Sequence, residues 1–179
     1  MTDLVAWARG LTPVGTTVVI AVEGRSGAGK TTSARVLAAE LGAPLIRMDD
    51  LYPGWDGLRA GSDALGKWVL RPLAEGRRAR WRRWDWAAGR YAGTHEVPAG
   101  RHLVVEGVGA GAAPLRPYLS GLIWVEAPEP LRRRRAMARD GGTYAPHWER
   151  WARQEDEYYG SDHVRDHADL VIEHTEDGT

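Results

Sequence analysis

Cysteine is absent from the 179-residue chain, which excludes disulfides and thiolate metal sites. Phenylalanine is absent too, so aromatic packing and stacking fall to nine Trp and six Tyr. Net charge is lacking, because 24 Lys and Arg are matched by 24 Asp and Glu. A general nucleic-acid binder is usually basic overall, so that class loses its electrostatic footprint and only a local basic patch is left to it. No apolar run is long enough to span a membrane, and no basic start leads into an apolar N-terminal segment. The expected location is therefore the cytoplasm. No internal repeat is visible. Metal-ligand spacing is missing among the six His, so His95, His102, His147, His163, His167 and His174 are expected on the surface or in packing.

What is present fits one α/β domain. The length suits a single unit over residues 1–179, and 43% hydrophobic residues suffice for one core. Apolar, β-branched runs predict strands at 16–22, 45–48, 102–106, 122–126 and 168–173. Helical spacing predicts helices at 30–41, 63–75, 131–139 and 144–159. Residues 77–90, dense in Arg and Trp, read as a loop or hairpin, and 175–179 as a frayed end. Alternating strands and helices favour a mainly parallel sheet.

Between the first strand and the first of these helices lies Gly24-Arg25-Ser26-Gly27-Ala28-Gly29-Lys30-Thr31, which fills the pattern G-x-x-x-x-G-K-[ST] completely. Glycines let the backbone turn sharply and approach anionic oxygens with no Cβ in the way. Successive N–H groups form an anion nest, and the following helix adds its positive end. Lys30 is placed to reach the β- and γ-phosphates of a nucleotide, and the Thr31 hydroxyl to coordinate Mg²⁺, with Thr32 next in the helix. ATP and Mg²⁺ are the implied cofactors.

Ligands in such sheets gather at the carboxyl ends of strands. Asp49, Asp50 and Glu106 stand there. Transfer of a phosphoryl group to an alcohol needs one carboxylate beside the attacking hydroxyl and another near the metal. Asp49 and Glu106 can divide these roles, with Thr31 and Glu106 as the metal residues. Asp50 serves equally well as a turn or capping residue.

Taken together, these segments resemble the uridine kinase-like P-loop kinases. Asp49-Asp50-Leu51-Tyr52 is similar to the family's Asp-x-aromatic-Tyr segment, and Trp84-Asp85-Trp86 to its aromatic-Asp-aromatic segment. Glu106-Gly107, Arg132 to Asp140, and Ala168 to Ile172 follow in the family's order. The resemblance implies a three-layer P-loop fold with about five parallel strands. It implies a lid at about 129–143 and an acceptor region at about 49–95. Asp49 would be the base, and Tyr52, Trp84, Asp85 and Trp86 would line the acceptor pocket. Gly89-Arg90 stands where the family's base-recognition His is expected. Gluconate- and shikimate-type kinases share the same core and are closer in length.

Arg132, Arg135 and Arg139 share one helical face, which suits closure over phosphates, and Arg135 and Arg139 are the chosen catalytic pair. A solvated basic helix would show the same face. Trp84 and Trp86 could stack an aromatic acceptor, or could cover the core beneath Arg stems. Trp148 and Trp151 read as core packing. The expected activity is phosphorylation of a small hydroxyl compound, nucleoside or nucleoside-like. Two rivals are a nucleotide switch acting on a protein partner and an RNA-end kinase using the Arg/Trp segment.

Overall fold

Continuous Val/Ile/Leu runs suit strands buried on both faces, and here they build a parallel sheet. The computed structural model describes residues 2–174, apart from the side chains of residues 2, 139–141 and 143. Seven strands occur in it: β1 (Thr17–Glu23), β2 (Leu45–Arg47), β3 (Ala79–Asp85), β4 (Arg90–Val97), β5 (Arg101–Glu106), β6 (Gly121–Glu126) and β7 (Leu170–Glu173). Five of them form one parallel sheet in the order β2-β5-β1-β6-β7, while β3 and β4 pair antiparallel on their own. The helices are α1 (Thr2–Arg9), α2 (Lys30–Leu41), α3 (Leu58–Leu65), α4 (Arg71–Ala74), α5 (Glu129–Tyr144) and α6 (Trp148–Asp162). No helix among the described residues is long and apolar enough to cross a membrane.

The central strand β1 is buried at every position, and its alternation divides the core. Val18, Ile20 and Val22 pack with Val5, Ala8, Ala34 and Leu37 on the α1/α2 face. Val19 and Ala21 point the other way, into a cluster with Leu103, Val105, Trp124, Trp148 and Trp151. Trp148 and Trp151 are thus core residues, as their helical spacing suggested.

Several boundaries differ from the sequence reading. Helix α1 and the 3₁₀ turn Ala113–Tyr118 were not expected. The helix expected at 63–75 begins at Leu58 instead, because Leu58 and Ser62 are already buried, and it runs through a π-helical stretch, Gly66–Leu70, into α4. The Arg/Trp segment is a hairpin that extends to Val97. Strand β2 stops at Arg47, so Met48–Asp50 form a 3₁₀ turn rather than a strand end. The aromatic helix starts at Trp148, after a 3₁₀ turn that holds Pro146, a residue lacking the N–H a helix interior needs. Residues 175–179, expected to fray, lie outside the described residues.

At the end of β1, Glu23 is fully buried. The amides of Gly24, Gly109 and Gly111 and the hydroxyls of Tyr158 and Tyr159 donate to its carboxyl oxygens at 2.8 to 3.2 Å. This one side chain therefore joins the strand end to α6 and to the loop after β5. Burial outweighs these donors and nearby Lys30, and pushes the carboxyl up to about 7. Burial, and then Glu23 itself, raise both phenols, so Tyr158 and Tyr159 stay protonated as donors.

A carboxyl whose affinity for its proton rises on folding contributes stability below its unfolded value of 4.5 and loses it as pH climbs through about 7. Urea unfolding of the native chain and of Glu23→Gln between pH 4.5 and pH 8 checks this. The native chain is expected to lose up to roughly 3 kcal/mol relative to the variant across that window. Parallel curves would contradict it.

Candidate active site

Three neighbouring strands set the site. In the sheet, β5 lies between β1 and β2, and the register aligns Val22 with Glu106 and Glu106 with Arg47. The three strands therefore end side by side. The phosphate loop leaves β1, the Asp49-Asp50 turn leaves β2, and Glu106 closes β5.

The loop needs its glycines for close approach. Gly24 has φ +140°, and a Cβ there would lie 2.1 Å from the carbonyl oxygen of Val125. Gly27 has φ +80°, and a Cβ would lie 2.1 Å from the carbonyl oxygen of Arg132, in the first turn of α5. Only a glycine lets the loop slide between β6 and α5 in this way. Lys30 opens α2 and is nearly buried, and its Nζ donates to the carbonyl of Arg25 at 3.0 Å. Thr31 donates its hydroxyl to Glu106 Oε1 at 3.0 Å.

Arg47 joins this row. Its Nε donates to the same Glu106 oxygen at 3.3 Å, and its guanidinium Nη2 donates to Asp49 Oδ2 at 2.6 Å. Thr31, Glu106, Arg47 and Asp49 thus form one continuous polar chain from the phosphate loop to the expected base. Asp50 pairs with Arg83 of β3 at 2.8 Å, and Trp86 donates its indole N–H to the Asp49 carbonyl at 3.0 Å. These two contacts dock the hairpin against the acidic turn.

Helix α6 grips the loop from outside. Glu155 is buried, and its Oε1 accepts from the Ser26 amide at 2.9 Å, the Ser26 hydroxyl at 2.6 Å and the Trp151 indole at 3.0 Å. Arg25 pairs with Asp156 at 2.6 Å and lies 5.2 Å above the Tyr159 ring centre. Arg132 donates to the backbone carbonyls of Ala127 and Ser26.

Two adjoining cavities open here. The larger, of about 620 Å³, is walled by Tyr52, Trp55, Trp86, Tyr144 and Trp151, with Asp49, Asp50, Arg83 and Glu106 among its polar residues. The smaller, of about 430 Å³, follows the loop along Gly29, Thr32, Arg35 and Arg135. Gly27, Lys30, Thr31, Arg47 and Asp49 line both. Trp55 sits amid the rings, stacked at 4.3 Å on His147 and 5.0 Å from Trp86, while Tyr52 lies 4.8 Å from Trp151.

Of the residues singled out in the sequence, Ser26, Gly27, Lys30, Thr31, Asp49, Tyr52, Trp86 and Glu106 line the larger cavity, and Gly29, Thr32 and Arg135 the smaller. Gly24, Arg25 and Ala28 line neither. Trp84 packs edge-on against Tyr91 within the hairpin, and Asp85 accepts from the amides of Ala87 and Ala88 at its turn, so both stand back from the cavities. The side chain of Arg139 lies outside the described residues. Arg47, Trp55, Arg83 and Glu155 escaped the sequence reading. Arg47 carried a usable signal, since it closes a strand two residues before Asp49.

The residues fit a magnesium ion held jointly with phosphates. Thr31 and Glu106 offer hard oxygen donors side by side. Among the described residues no group of three or more His, Asp or Glu could hold a metal without further ligands, and Mg²⁺ commonly takes one or two protein oxygens plus phosphate and water.

No protein-family profile matches the chain, and no curated protein matches it. Solved structures do. A "possible uridine kinase" from Bacillus stearothermophilus is 18% identical and superimposes with a TM-score of 0.68 over 96% of each chain. A "putative fructose transport system kinase" from Silicibacter sp. TM1040 is 22% identical, with a TM-score of 0.61 over 94% of this chain and 98% of that one. The likeness extends over nearly the whole length of each chain, and the chain has a uridine kinase-like P-loop kinase fold.

Proposed function

We propose that the chain transfers the γ-phosphate of ATP to a hydroxyl group of a small molecule, a nucleoside or nucleoside-like compound, in the presence of Mg²⁺. The observation that carries this reading is the shared wall of the two cavities. Lys30 and Thr31 of the phosphate loop and Asp49 in the turn after β2 face one space, so a nucleotide and an acceptor would meet there.

The chemistry follows from the residues. Loop amides and the N-terminal end of α2 would cradle the β- and γ-phosphates, and Lys30 would leave the Arg25 carbonyl to join them. Asp49 orients the acceptor hydroxyl and takes its proton as the oxygen attacks phosphorus. The bond from phosphorus to the β-phosphate oxygen breaks, and ADP leaves with its electron pair. Thr31 and Glu106 would hold the magnesium ion, which neutralises phosphate charge when bound. Arg135 reaches the smaller cavity from α5, and Arg139 belongs to the same helix, so α5 would act as a lid that excludes water.

The acceptor wall supports a flat ligand. The Trp86 indole N–H is used by the Asp49 carbonyl, the Trp151 N–H by Glu155, and the Tyr52 hydroxyl by the Val108 carbonyl. Tyr52 and Trp151 are buried against each other, while Trp86, 42% exposed with its polar edge turned into the protein, leaves ring surface for stacking.

Incubation with Mg²⁺, ATP and a panel of nucleosides, nucleoside analogues, sugars and hydroxy acids, read by product mass, tests the proposal. A phosphorylated nucleoside or analogue is the expected product. ATP hydrolysis with every acceptor left unmodified would favour a nucleotide switch instead. In the same assay Asp49→Asn should lower transfer by roughly 10²- to 10⁴-fold while nucleotide binding holds. Near-native transfer would remove Asp49 from the role of base.

A further inference from the structure

Arg47 is the residue at the junction of the two cavities that no sequence motif singled out. It ends β2 and sits opposite Glu106 in the sheet register. Its side chain is about one-third exposed (33%), and it lines both the nucleotide and the acceptor cavity. Lys30 is the other cation lining both, and it comes from the loop side. Arg47 approaches from the opposite side, beside the expected base.

Its present contacts describe a guanidinium spanning two carboxylates. One nitrogen holds Asp49 at 2.6 Å and another holds Glu106 Oε1 at 3.3 Å. That Glu106 oxygen is also the acceptor for Thr31. Three groups thus compete for one oxygen once the Thr31/Glu106 pair serves a metal, and the longest contact, from Arg47 Nε, is the one most easily given up. A nitrogen released in this way would stay at the wall that Arg47 shares with Lys30 and Asp49 in both cavities. Its second contact, to Asp49, can persist, so the guanidinium stays aimed.

A planar fork that keeps its charge suits the equatorial oxygens of a phosphoryl group in flight.

Resting on the phosphotransferase reading above, we propose that Arg47 is a catalytic residue. It contacts the γ-phosphoryl group from the acceptor side and stabilises its charge during transfer. In that step the oxygen–phosphorus bond to the acceptor forms as the bond to the β-phosphate breaks. The hydroxyl proton passes to Asp49, and Arg47 is chemically unchanged.

The γ-phosphate supplies a test that needs no acceptor. Dissociation constants for Mg·ADP and for Mg²⁺ with the β,γ-imido analogue of ATP are measured by calorimetry on the native chain, Arg47→Met and Arg47→Lys. Thermal melting shows that each variant is folded, and Arg47→Lys keeps the charge beside Glu106 if the neutral variant is too unstable. Arg47→Met is expected to weaken the imido analogue by about tenfold or more, the size of a lost charge-assisted hydrogen bond. Mg·ADP should change by less than about twofold, and Arg47→Lys should recover part of the loss. Equal loss for both nucleotides, or no loss for either, would overturn the proposal and leave Arg47 as a support for Asp49. A native chain that binds neither nucleotide would overturn the phosphotransferase reading itself, and this proposal with it.

Discussion

The register of three parallel strands is the constraint on which the site depends. Val22, Glu106 and Arg47 stand in one row across β1, β5 and β2, so the segments that leave these strands emerge together. A slip of one residue in β5 would turn its side chains to the opposite face of the sheet. Glu106 would then lose both Thr31 and Arg47, and a nearly buried carboxylate would be left with no partner. The burial of every residue of β1, with apolar clusters on both faces, is what fixes that register. Core packing and site geometry are in this sense one specification.

Around this row, buried carboxylates from outside the loop hold it in shape. Glu155 takes both polar hydrogens of Ser26 and the indole of Trp151, so the outer limb of the loop and a wall of the larger cavity share one oxygen. Glu23 does the same for the base of the loop, α6 and the segment after β5. Carboxylates withdrawn from water are costly unless several donors converge on them. Here the donors come from segments distant in the chain, so the cost is offset only when all of them are in place. The arrangement ties the shape of the anion nest to the seating of α6.

Local chemistry explains what was legible in the sequence. The loop of residues 24–31 could be read because its pattern is local: glycines for positive φ and close approach, then Lys30 and Thr31 opening a helix. The five strands of the sheet could be read because apolar β-branched runs have few other uses in a chain of this size. Asp49 and Glu106 were found by the rule that ligands gather at strand ends, and the fold does bring both beside the loop.

What escaped depended on partners far away in the chain. Glu155 looks like any acid on a polar helix until Ser26, 129 residues earlier, is set against it. Trp55 lies in a turn with no periodicity to mark it. Trp84 and Trp86 are two residues apart on one hairpin, yet only Trp86 lines the cavity, because Trp84 lies in β3 against Tyr91 while Trp86 lies past the strand's end in the hairpin turn, against Trp55. Arg47 belongs to no motif of its own, and its place beside the acids comes from the pairing of β2 with β5. The central claim is that one polar row joins the phosphate seat to the base. A crystal structure of the chain with Mg²⁺ and the β,γ-imido analogue of ATP tests it most directly. The account predicts the β- and γ-phosphates in the nest of residues 24–31, with the γ-phosphate facing Asp49 and Arg47. Phosphates seated elsewhere, or a γ-phosphate turned away from Asp49, would contradict it.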